Sequence, residues 1–215
     1  MSRTANSFHR SRAKYKPQPK ILVLCEDTKS SLQYLKAAAQ HFRSFADVEI
    51  THCGKNDPKG IINEGLARQK DKKTNYDFVY CVIDRDTHET FDVAQQIARQ
   101  HSDKTKLIVS YPCYEYWLIL HFQNSRKPYQ QTGKFSAAEM VCKDLRQIPE
   151  MQDYGKDKDG AAIFSRLLPH INTACARAAR LLQRANEEQE FNPSTEMHIL
   201  ITRFEELGQF QASEK

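Results

Sequence analysis

The segment Phe78–His88, FVYCVIDRDTH, runs six apolar or aromatic residues without interruption and then ends in Asp84, Arg85, Asp86 and His88. A strand covered on both faces accounts for the first half, because parallel strands packed between helices read as continuous apolar runs rather than alternating ones. The polar end has two explanations. Either the strand simply leaves the core there and its acids are solvated, or the acids are held in place because they bind something.

Working outward, KILVLCE at Lys20–Glu26 is a second continuous apolar run. It is followed by a helical pattern with Leu32, Leu35, Ala39 and Phe42 on one side and Asp27 or Thr28 as the cap. VEITHC from Val48 alternates as a strand, GKNDPKG supplies a turn, and a helix through Ile62 and Leu66 follows. A helix from Phe91 to His101 and a strand KLIVSY complete the series. Strands alternating with helices of this length predict βαβ units. The expectation is an α/β fold with a mostly parallel four-stranded sheet over residues 20–111.

From residue 112 the pattern turns helical. CYEYWLILHF reads as a buried helix, and SAAEMVCKDL opens with a capping box of Ser136 and Glu139. Ile163–Ala185 reads as a long helix that Pro169 kinks, and in NPSTEMHIL Asn192 suits a cap with Pro193 at the first helical position. Residues 112–215 are therefore expected to form a helical subdomain packed on the sheet. Residues 1–19 carry Arg3, Arg10, Arg12, Lys14 and Lys16 with no acid and read as a disordered basic arm, either a tether to phosphates or a solubilising tail.

Composition narrows the class. A chain of 215 residues with 40% hydrophobic content can bury one core, and a net charge of +5 permits a nucleic-acid partner without demanding one. The six cysteines never form C-x-x-C, which argues against a zinc cluster, and several sit in apolar runs as small buried hydrophobes. The basic N-terminus lacks the apolar core of a signal peptide, and no apolar stretch approaches membrane-spanning length. A soluble cytoplasmic protein is expected, without a membrane partner.

In an open parallel sheet, ligands bind beyond the carboxyl ends of the strands. Glu26 ends the first strand, and Asp84 and Asp86 end the third on one side of the extended chain. If those strands are neighbours, the three carboxylates converge and need a cation, for which a hard divalent ion with oxygen preference, Mg²⁺ or Mn²⁺, is suited. Such an ion can activate water or steady a phosphodiester in cleavage. His88 could move a proton, or could simply lead into the next helix. The weight lies with position: D-x-D alone is common in solvated loops, whereas here it closes a strongly apolar strand and is paired with a glutamate closing another. DKDG at Asp157–Gly160 is no calcium loop, because Leu168 stands where the closing glutamate belongs. No phosphate-binding G-x-x-x-x-G-K-[ST] and no G-x-S-x-G nucleophile motif occurs.

The glutamate after one strand and the D-x-D after a later one resemble the Toprim arrangement. More narrowly, ILVLCEDTKSS, DFVYCVIDRDTH, SYPCYEYWLILHF and NPSTEMHIL resemble the successive signature blocks of the RloB-like family of bacterial anti-phage proteins. That resemblance implies a Toprim-like fold, a metal-dependent nuclease acting on DNA or RNA, a structured RNA such as tRNA included, and a separately encoded ATPase partner. A non-catalytic nucleic-acid-binding effector or sensor subunit is the alternative. Carried over by position, Glu26, Asp84 and Asp86 would be metal ligands, Lys29 would touch phosphate, and Glu115 would face the site as a substrate-binding residue, while Trp117, which matches the same block, is expected in the core. The sequence departs from the pattern at Asp27, where glycine is common, and at Ser31, where a second acid is common. His121 is expected to pack rather than bind metal, and Tyr154 and Lys156 to lie in a solvated loop.

Overall fold

A computed structural model describes residues 19–42, 44, 48–85 and 88–212, so nearly all of the basic arm, and Asp86, lie outside the described residues. The first half follows the expected alternation: β1 (Ile21–Cys25), α1 (Ser30–His41), β2 (Val48–His52), α2 (Pro58–Lys70), β3 (Phe78–Asp84), α3 (Phe91–Gln100) and β4 (Thr105–Tyr111). β1 pairs in parallel with β2 and β3, and β3 in parallel with β4, which makes the two acid-ending strands neighbours.

The continuous apolar runs have the expected cause. Leu22, Leu24, Val79, Cys81 and Ile83 pack under α2 and α3, with Ile61, Ile62, Phe91 and Ala94. The alternate residues Ile21, Val23, Tyr80 and Val82 belong to the larger core on the other face, with α1 and the C-terminal helices. Both sides of β1 are fully buried. At the start of α2, the Asp57 carboxylate accepts the Gly60 N–H at 2.8 Å, with Pro58 at the first position.

The second half contributes α4 (Glu115–Ile119), α5 (Ala137–Leu145), α6 (Gly160–Leu167), α7 (Ile171–Glu188), β5 (Ser194–Thr195) and α8 (Met197–Ala212). The capping box is present in full at α5: the Glu139 N–H donates to the Ser136 hydroxyl, and the Ser136 N–H to the Glu139 carboxylate. Two expectations need adjustment. The CYEYWLILHF segment is buried, but only five of its residues are α-helical. The long helix is two helices, because Pro169 sits in a 3₁₀ turn at Leu168–His170 between α6 and α7.

The expected mostly parallel sheet is present, but among the described residues it has five strands rather than four, in the order β2-β1-β3-β4-β5, and is mixed. β5 runs antiparallel to the end of β4. It lies in the NPST segment that was expected only to cap a helix. The Ser110 and Thr195 hydroxyls hydrogen-bond at 2.9 Å, and Glu196 continues the pairing, its N–H donating to the Val109 carbonyl at 2.9 Å and its carboxylate accepting the Val109 N–H at 2.8 Å. The polar backbone of an edge strand is thereby satisfied where β4 approaches the rim. Asn192 instead holds Tyr129, accepting its N–H at 3.1 Å and donating to its carbonyl at 2.7 Å, so α8 starts at Met197. No helix of the described residues is long and apolar enough to cross a membrane.

Gly160 sets how closely the two halves approach. Its N–H donates to Gln33 Oε1 at 2.9 Å, and a Cβ there would lie 2.6 Å from the Ser30 carbonyl oxygen and 2.8 Å from the Tyr34 nitrogen, both backbone atoms. Gly160→Ala must push α6 away from α1, and urea denaturation should show a loss of about 1–3 kcal/mol, the usual cost of overpacking.

Candidate active site at the strand ends

The parallel register delivers Glu26 and Asp84 to the same rim. The Glu26 N–H donates to the Val82 carbonyl at 3.2 Å, extending the β1–β3 ladder by one residue. Its carboxylate then turns across β3: Oε2 accepts the Asp84 N–H at 3.1 Å, and Oε1 lies 3.3 Å from His88 Nε2. Burial pushes the Glu26 carboxyl pKa up against the opposing pull of those two partners. Asp84 is raised more strongly, first by burial, then by the negative fields of Glu115 and Glu26.

A cleft of about 260 Å³ opens here, lined by Glu26, Asp27, Ser31, Asn56, Val82 and Asp84. Asp27 does not project across it as a free acid. Its carboxylate accepts the N–H groups of Lys29 at 3.0 Å, Ser31 at 2.9 Å and Leu32 at 3.3 Å, and the Ser30 hydroxyl at 3.0 Å. It therefore satisfies orphan donors at the start of α1, but from outside the N-cap position, which is Lys29 and not Asp27 or Thr28 as expected. Lys29 is exposed just before α1 and is not among the residues lining the cleft.

Glu115 comes from the second half of the chain and is not among the residues lining this cleft, but its charge is felt at Asp84. It is 1% exposed, Oε1 accepts the Tyr154 hydroxyl at 3.0 Å and faces Lys156 Nζ at 3.7 Å, and Oε2 has no hydrogen-bond partner among the described residues. Tyr154 is thus no solvated loop residue, as had been expected, but a buried one. Partial burial works to lower the Lys156 pKa, but the fields of Glu115 and Asp84 outweigh it and hold the ammonium above its ordinary value. His121 packs as expected. Its Nδ1–H donates to the Trp117 carbonyl at 3.0 Å, Nε2 faces the Tyr34 hydroxyl at 3.4 Å, and burial lowers its pKa to about 4, which keeps it neutral.

Glu26, Asp84 and Glu115 offer only oxygen donors, which fits a hard divalent cation, and the orphaned Oε2 of Glu115 is an atom such an ion would satisfy. Yet among the described residues no group of three or more His, Cys, Asp or Glu side chains is arranged to hold a metal ion. Both oxygens of Glu26 are engaged by protein donors, and Glu115 is held toward Tyr154 and Lys156.

Residues 21–204 match the family described as RloB-like protein. The chain belongs to the RloB-like family. No curated protein and no solved structure matches it. The family match spans all five strands and every helix up to the first half of α8, so both Glu26 and the distant Glu115 fall inside it.

In this RloB-like chain, sequence reading missed Tyr154 and Lys156 as partners of Glu115. The signal available was a buried acid in an apolar segment, which requires partners without naming them. Two outcomes follow from the geometry. Tyr154→Phe removes the neutral donor to a buried carboxylate and should lower stability by about 1.5–3 kcal/mol in urea denaturation. The raised Asp84 pKa means that the folded state binds this proton more tightly than the unfolded state, so its contribution to stability falls as pH rises above the unfolded value near 4. In EDTA, Asp84→Asn should shift the urea midpoint upward at pH 7–8, and the gain should shrink toward pH 4.

Proposed function

We propose that this RloB-like protein is a metal-dependent, Toprim-type endonuclease of a bacterial anti-phage defence system, of the abortive-infection kind, that hydrolyses phosphodiester bonds in DNA or RNA in the cytoplasm. Structured RNA such as tRNA is a candidate substrate, and a separately encoded ATPase a candidate partner. The observation that carries the reading is the convergence of Glu26 and Asp84 at one strand-end rim, with the Glu26 carboxylate bonded to the Asp84 amide. Glu26, Asp84 and Asp86 would hold Mg²⁺ or Mn²⁺, which when bound supplies charge stabilisation and a more acidic water.

The chain's own groups take the remaining roles. His88, with Nε2 beside Glu26, is placed to hold or pass a proton at that carboxylate. Lys29, exposed ahead of α1, would meet the phosphate backbone. Glu115 brings a further carboxylate whose field reaches Asp84. A second reading, a non-catalytic effector or sensor subunit binding nucleic acid, draws on one observation: both Glu26 oxygens are engaged by protein donors, and no group of three or more candidate ligands among the described residues is arranged to hold a metal ion.

Purified protein, with and without the ATPase encoded beside it, is incubated with total cellular RNA and plasmid DNA in Mg²⁺ or EDTA. Cleavage should appear in Mg²⁺ only. Glu26→Gln and Asp84→Asn should each lower it by about two orders of magnitude or more, since a metal's charge stabilisation amounts to several kcal/mol. Undiminished cleavage by both folded variants would sink the assignment and leave the binding-subunit reading.

A further inference from the structure

Glu115 is more enclosed than Glu26 or Asp84, both of which are only half-buried. It is 1% exposed, and Oε2 has no hydrogen-bond partner among the described residues. An ionised carboxylate so enclosed needs a cation beside it. Lys156 stands there, but in an unusual relation: its side chain is 59% exposed and Nζ lies 3.7 Å from Oε1. That distance is ion-pair contact and longer than a well-formed charged hydrogen bond. The ammonium is attracted from the solvent side and is not locked in place.

The loop carrying it is built accordingly. Tyr154 is anchored twice, through its hydroxyl on Glu115 and through its carbonyl, which accepts Arg146 Nε–H at 2.9 Å. Lys156 follows two residues later, beyond Gly155, on the exposed part of the loop before Asp159 caps α6. A buried hydroxyl fixes the acid, and an exposed, longer arm balances its charge.

We infer that Lys156 is a tethered counter-ion for the buried Glu115 carboxylate, occupying the electrostatic place of a hard divalent cation and giving way when one enters. The inference rests on the metal-dependent reading above and adds a competitor to it. It accounts for the arrangement of the acids: Glu115 is drawn toward Tyr154 and Lys156 and Glu26 toward the Asp84 amide and His88, so cation entry exchanges one set of partners for another. Lys156 is thus a positioning residue, acting through Glu115.

The test is Mn²⁺ binding to the full chain without nucleic acid, by calorimetry and by the spectrum of free Mn²⁺, at fixed pH. Lys156→Gln should bind Mn²⁺ about two- to fivefold more tightly than wild type, the range expected for loss of a partly exposed ion pair. Lys156→Arg should remain near wild type. So should Lys158→Gln, a control for removing any positive charge from this loop. In EDTA the Lys156→Gln protein should melt below wild type, and saturating Mn²⁺ should narrow the gap. Equal or weaker Mn²⁺ binding by Lys156→Gln, the same gain from Lys158→Gln, or no Mn²⁺ bound by either wild type or Lys156→Gln would overturn the inference. Tightened Mn²⁺ binding in a protein that cleaves nothing would keep it and count against the nuclease reading. Cleavage abolished by Glu26→Gln, with Mn²⁺ affinity indifferent to Lys156, would do the reverse.

Discussion

The parallel pairing of β1 with β3 is the constraint on which the rest depends. It runs from Ile21 opposite Phe78 to Cys25 opposite Val82, and the Glu26 N–H extends it by one more bond to the Val82 carbonyl. Where the ladder stops, the Glu26 side chain takes over and accepts the Asp84 N–H. A shift of one residue would send every side chain of β1 to the opposite face. With both faces buried under separate helical layers, such a shift is heavily penalised, and the two acids are held to a common rim by core packing far from them.

The C-terminal half is part of the same construction. It returns a strand to the sheet at β5, and its α6 lies against α1 at the close approach of Gly160. The Tyr34 ring meets both Tyr114 and Phe164 edge-on, with centroids 5.9 and 5.2 Å away. Those aromatic contacts bind α1, the segment before α4, and α6 into one core. Docking of the subdomain on the sheet therefore sets Tyr154 against Glu115 and brings the Glu115 charge within the field felt by Asp84.

Electrostatically the rim is an acidic site whose charges are compensated from within. Backbone amides and a serine hydroxyl balance Asp27, an amide and His88 balance Glu26, and Tyr154 with Lys156 balances Glu115. Asp27 illustrates the difference between composition and role. It stands where the family pattern commonly has glycine, and its carboxylate is folded back onto its own helix start, where three backbone N–H groups hold it.

Short-range physics was legible in the sequence. Apolar runs marked β1 and β3, the Ser136–Glu139 pair marked the start of α5, and acids directly after two buried strands marked Glu26 and Asp84. Each of those signals is carried by residues a few positions apart, or by burial of a whole segment. Glu115 was visible as an acid in an apolar segment, but its partners were not. The two-residue strand β5 carries too few residues to show a period, and its sequence suits a helix cap equally well. Tyr154 lies 39 positions from Glu115, and nothing local distinguishes it from a solvated loop tyrosine. By itself, then, the sequence determined which strands are buried and which acids stand at their ends. Only the tertiary structure decided which buried acid faces which donor, because that depends on the docking of segments whose local sequences are mute about each other.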